Sequence, residues 1–160
     1  MATVTKTNAR NLPEGALAGV PWGDLQAFNF KLQTSSSGYM TDSDQPAAVL
    51  AIADKVRLGI LPAGMNLIDS LVIISDAFTA STTYTLGFEY VDGVDSTAVP
   101  QDVDYFNAAV ASSALAVQRK TGTTAPVTLP KDAYLILTVA AAAHASAGIM
   151  DITIFGVRKG

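Results

Sequence analysis

Apolar residues in this chain recur mostly at every second position, the spacing of a strand that lays one face on a core. Phe28, Phe30 and Leu32 share one face of such a run, separated by Asn29 and Lys31. Val56, Leu58 and Ile60 form a second set, closed by the turn sequence Leu61-Pro62-Ala63-Gly64. Thr82 to Tyr90 alternates most regularly. Tyr84, Leu86, Phe88 and Tyr90 take one side, Thr83, Thr85, Gly87 and Glu89 the other, and Asp92-Gly93 ends the run. Met65 to Ser75 is an almost continuous apolar stretch rich in β-branched residues, which predicts a strand buried on both faces. Tyr134 to Val139 and Gly148 to Val157 add two more strands, and Leu115 to Arg119 a short one.

Two segments resist the period of two. Asp102 to Val110 reads as a short helix, since Tyr105, Phe106 and Ala109 fall at helical spacing, or equally as irregular chain within a long crossover. Ala140 to Ala147 is alanine-rich, but eight residues make a marginal helix in isolation, so a connecting loop is expected. Thr34 to Pro46, rich in Ser, Gly and Asp, is a loop as well.

The sum is seven or eight strands with turn signals between them and no long amphipathic helix. That pattern predicts an all-β fold, a jelly-roll-like β-sandwich of about eight strands. Phe28, Phe30, Tyr84, Leu86, Phe88, Ile152 and Ile154 are its expected core. One such domain is expected over 26–160. Residues 1–25 precede it as an extended arm, because Pro13, Gly15, Gly19, Pro21 and Gly23 interrupt any regular element. The arm carries apolar teeth at Leu12, Leu17, Val20 and Trp22, the candidate interface residues, with Trp22 the best anchor.

Composition sharpens this picture. Only 15% of the 160 residues are charged, against about 25% in an ordinary soluble domain, so part of the exterior must be neutral or apolar. Such surfaces usually meet another subunit, and an oligomer is expected. A net charge of −4 argues against a nucleic-acid partner. Charge is also uneven: from Leu58 to Gln118 there is no Lys or Arg, yet Asp69, Asp76, Glu89, Asp92, Asp95, Asp102 and Asp104 all lie there. Solvated acidic loops explain this, as does an acidic face meeting a basic host surface. There is no cysteine, which leaves burial and backbone pairing to hold the fold. The polar segment from Met1 to Arg10 does not read as a signal peptide, and no apolar run reaches membrane-spanning length. Synthesis in the cytoplasm without membrane insertion is expected.

A search for chemistry returns little. The single histidine, His144, sits between alanines and is expected on the surface of its loop. One His and no Cys leave no zinc ligand set. Asp42 with Asp44, and Asp92 with Asp95, are the acidic pairs to weigh for calcium, but neither has the spacing of a calcium loop. No glycine-rich phosphate cradle occurs. Trp22, Tyr39 and Tyr105 are aromatics that could stack on a sugar, or else plug a sandwich end or an interface. No catalytic residue and no cofactor are expected.

Several segments resemble the jelly-roll head decoration (cement) proteins of tailed bacteriophages. They are Leu58 to Gly64 with its Pro-Ala-Gly turn, Leu67 to Ser75, Phe78 to Thr83 with Leu86 to Phe88, Asp102 to Phe106, and Val127 to Tyr134. The likeness spans roughly Val56 to Val157 and omits the arm. It implies a non-enzymatic virion protein that binds the outside of an assembled shell and clips neighbouring capsomers. The partners it implies are the major capsid protein and further copies of the chain, as a homotrimer or alternatively a dimer. It also implies residence on the capsid surface after assembly in the bacterial host. A carbohydrate- or receptor-binding module of a phage fibre or tail is the competing reading.

Overall fold

A computed structural model describes residues 2–5, 25–45 and 48–158. Ten strands follow one another: β1 Thr3–Thr5, β2 Leu25–Thr34, β3 Lys55–Leu61, β4 Met65–Asp76 and β5 Thr83–Tyr90 come first. Then come β6 Asp102–Ala111, β7 Ala116–Arg119, β8 Val127–Thr128, β9 Ala133–Ala140 and β10 Gly148–Arg158. They form two sheets of a jelly-roll-like sandwich. The first has the order β1-β3-β9-β5-β6; the second runs β2-β10-β4-β7, with β8 also on β4. All pairings are antiparallel except β1 on β3, where Val4 lies opposite Val56. The chain has more strands than the expected eight, and two of them, β1 and β8, are only three and two residues long.

The core fills the space between the sheets. From the first sheet come Val56, Leu58, Leu86, Phe88, Leu135, Leu137 and Val139; from the second come Phe28, Leu32, Leu67, Val72, Ile74, Met150, Ile152 and Ile154. Burying each such side chain favours folding by about 1.5–3 kcal/mol. All seven expected core residues belong here, with Phe30 half-buried at the margin. Polar ends reach across as well. The Tyr105 hydroxyl donates to the carbonyls of Leu67 and Ala125, and the Tyr84 hydroxyl donates to Gln118.

Irregular register explains where simple alternation misleads. Between Arg57 and Gly59 the β3–β9 ladder slips by one residue, so Leu61 joins Val56 and Leu58 in the core. Ile60 turns to the other face with Tyr134 and Ile136 rather than pointing with Val56 and Leu58. Strand β4 is not buried on both faces. Met65, Leu67, Val72 and Ile74 face the core, while Ile68 and Ile73 are exposed. The segment from Asp102 onward is strand β6, not a helix. It carries extra residues against β5, because Tyr84 pairs Val110, Leu86 pairs Asn107 and Phe88 pairs Asp102. These bulges bury Tyr105, Phe106 and Asn107 consecutively and leave Ala109 exposed, so the spacing that suggested a helix marks no buried face.

His144 is 1% exposed, which corrects its expected surface position. Its loop is a connection between β9 and β10, as expected, but it folds inward. The His144 amide donates to the Leu50 carbonyl at 2.9 Å, and its ring leans on Phe78. Gly38, at φ +77°, lies against the backbone of His144 with no room for a side chain.

Gly87 makes the bulged β6 pairing possible. A Cβ there would sit 2.1 Å from the Asp102 carbonyl oxygen and 2.4 Å from the Val103 carbonyl carbon. Both are backbone atoms and cannot swing aside. Gly87→Ala should therefore cost about 2 kcal/mol or more in urea denaturation, from overpacking alone. Gly93→Ala, in open space at φ +70°, should cost about 1–2 kcal/mol from the left-handed backbone alone. Equal costs would show that the β5–β6 ladder relaxes around the added methyl.

Candidate assembly surface

The carboxylates are engaged in fixing the chain. Asp54 accepts the amides of Ala2 and Ala51, and Asp44 accepts that of Thr5. Asp95 accepts the amides of Ser96 and Gln101, closing its own loop. Asp132 accepts the amide of Ala63. Asp92 pairs with Lys131, whose hydrogen bond holds the carboxyl below its ordinary value. Burial alone would raise the Glu89 carboxyl, but bonds from Arg57 at 2.7 Å and Lys55 at 3.0 Å bring it below the ordinary value. Burial, and then the neighbouring Asp104, raise the Asp102 carboxyl.

The acids of the cation-poor stretch do not share one face. Asp69 lies on the second sheet beside Arg119, whereas Glu89 lies on the first beside Lys55 and Arg57. Among the described residues no three His, Asp or Glu side chains converge, and no helix is long and apolar enough to cross a membrane. His144 has no carboxylate or hydroxyl on either ring nitrogen. Of the candidate sugar-stacking aromatics, Tyr105 is fully buried and Tyr39 is at the surface. Trp22, with Leu12, Leu17 and Val20, lies outside the described residues.

The two outward sheet faces differ in kind. On the first sheet, Ile60, Tyr134 and Ile136 are buried, and the Arg57 guanidinium lies 4.7 Å from the centre of the Tyr134 ring. On the second sheet the outward residues of adjacent strands are apolar and open. Val117 of β7 lies opposite Ile73 of β4, and both are exposed, Val117 by 71%. The next outward residue of β4, Leu71, is half-buried, as is Phe155 of β10 opposite Asp69. Ile68 and Leu25, the latter 61% exposed, extend the stripe diagonally towards the start of β2. Leu25, Ile68, Asp69, Arg119 and Phe155 line a shallow depression of about 260 Å³ at that end.

Charges on this face come in opposed pairs. Arg119 bonds Asp69 and stands 5.6 Å over the Phe155 ring, and Lys31 lies 3.9 Å from Asp151. The face is locally neutral on a protein of net charge −4. Sequence reasoning missed this surface because it placed both sides of β4 indoors. The signal was present in the almost continuous apolar run, but its second side faces out.

No family model matches the chain, and no curated protein matches it. Solved structures do. A chain from the capsid of Ralstonia phage GP4 superposes with a TM-score of 0.67 at 18% identity, covering 99% of each chain. A chain from the cyanophage Pam1 capsid asymmetric unit gives 0.59 at 13% identity, over 93% of this chain and 95% of that one. At such identities the likeness is one of fold: this chain has the same sandwich as chains found in phage capsids.

Proposed function

We propose that this chain is a non-enzymatic structural protein of a phage virion. It decorates the outer surface of the assembled shell as a homo-oligomer, a trimer in preference to a dimer, and ties neighbouring capsomers together. The observation that carries the reading is the sandwich it shares, over nearly its whole length, with a chain of a phage capsid. The open apolar stripe of the second sheet supports it, because a face of that kind gains free energy only by being covered. So does the engagement of the carboxylates in turns and ion pairs rather than around a cleft.

In this mechanism the sandwich is a rigid body and the stripe is a contact surface with the shell or a sister subunit. The arm residues Leu12, Leu17, Val20 and Trp22 make the second contact. An interface of ordinary size, about 1,600 Å² in total, repeated around an oligomer gains strongly from multivalency. Tyr105 is withdrawn from sugar binding, since it spends its hydroxyl inside the sandwich.

Two experiments test the reading. The double variant Ile73→Lys, Val117→Lys changes only exposed side chains, so its thermal midpoint should stay within a few degrees of wild type. Its occupancy on shells, read by electron microscopy of particles with and without the protein, should fall about tenfold or more, since two lysines must be desolvated. Unchanged occupancy would take the stripe out of the mechanism. Replacing Leu12, Leu17, Val20 and Trp22 together with Ser should likewise leave a folded domain that decorates shells poorly. Residues 3–5 stay intact in that variant because they form β1. Wild-type decoration by it would remove the arm.

A further inference from the structure

The inward-folded His144 is used by nothing described so far. Its ring is enclosed, yet neither Nδ1 nor Nε2 has a hydrogen-bond partner among the described residues. The backbone around it, by contrast, knots four parts of the chain. The His144 amide holds Leu50 of the β2–β3 connection, and the ring sits 4.6 Å from that of Phe78 in the β4–β5 connection. The Ala145 amide donates to the Thr79 hydroxyl at 2.7 Å, and the Thr34 hydroxyl at the end of β2 donates to the Ser146 carbonyl at 2.9 Å. Gly38 closes the packing from the hairpin after β2.

The ring that meets the imidazole is that of Phe78, while Gly38, Leu50 and Thr79 meet the backbone of residues 144 and 145, and no acceptor among the described residues reaches either ring nitrogen to offset a positive charge. The charged residues on the same elements are turned to other work. Asp44 and Asp54 accept backbone amides, and Asp42 and Asp76 are exposed. Lys31 and Lys55 pair with Asp151 and Glu89.

We propose that His144 is an acid-sensitive latch on this end of the sandwich. Protonation places an uncompensated charge on a buried ring against Phe78, and the strain is relieved when 141–147 lifts away together with the described residues 35–45 and 48–52 of the β2–β3 connection. The two sheets stay paired, because their ladders do not pass through the pocket. Opening uncovers Met40 and Leu50 and releases the loop that displays Tyr39, Val49 and Ile52. Burial lowers the imidazole from its ordinary 6.5 to about 4 in the closed arrangement. The sign follows: the latch is fully closed above about pH 6.5, weakens as pH falls towards 4, and loses nothing further below that.

Amide hydrogen exchange of the whole chain at about pH 7 and about pH 4.5, corrected for intrinsic rates, tests this. Residues 35–45, 48–52 and 141–147 should lose protection roughly fiftyfold more than β4 and β9, the factor that follows from the two titration points. His144→Leu, similar in bulk but unable to titrate, should abolish the acid-specific loss, and Asp54→Asn should keep it. The same acid response in His144→Leu, or a loss shared evenly by the sheets, would overturn the latch. Should His144→Leu not fold, the imidazole resonance of the wild-type protein decides. It should titrate well below 6.5 in step with the Gly38 and Leu50 amides, and a midpoint at 6.5 without their movement would refute the proposal.

Discussion

The structure depends on one shared interior in which side chains from two sheets interlock. Successive strands mostly belong to opposite sheets: β1, β3 and β5 lie in the first, and β2, β4 and β10 in the second. Neither sheet can be assembled from a continuous piece of chain, so neither has a core until the other is present. Aliphatic packing supplies the attraction between them. The polar crossings from Tyr84 and Tyr105, and the bond from Ser70 to Asn107, limit which way the layers can sit. Each of these polar ends would be costly to leave unpaired in the interior, so a slipped arrangement is penalised twice.

A sheet committed to a core on one side must also settle its other side, and the two sheets do so differently. The first keeps aromatic and aliphatic residues buried there, with Arg57 stacked on Tyr134 and tied to Glu89. The second leaves its aliphatic residues in the open. Low overall charge, which in the sequence signalled only that some neutral exterior must exist, is thus matched on this sheet by a stripe between Val117 and Leu25.

How much was legible in the sequence follows from how far each strand keeps its phase. Strands β2, β5 and β10 alternate without interruption over their core-facing residues, and their buried sides were read correctly. Where a bulge intervenes the period breaks, and local pattern loses the answer: Ile60 changes sides, β6 buries Tyr105, Phe106 and Asn107 in succession, and β4 hides an outward face. His144 failed for another reason. Its immediate neighbours are alanines, and what encloses it comes from Gly38, Leu50 and Phe78, far away along the chain. No local window contains that information. The arm residues chosen as interface lie beyond the described residues, so their part rests on the proposal.

The parallel pairing of β1 with β3 has a mechanical consequence. Thr5 is fixed at the margin of one layer, by its ladder partner Arg57 and by mutual bonds with Asp44. Leu25, where the chain is next described, begins the margin of the other layer against Val157. A load carried into the protein at Thr5 is therefore borne first by one layer, and a load carried in at Leu25 by the other.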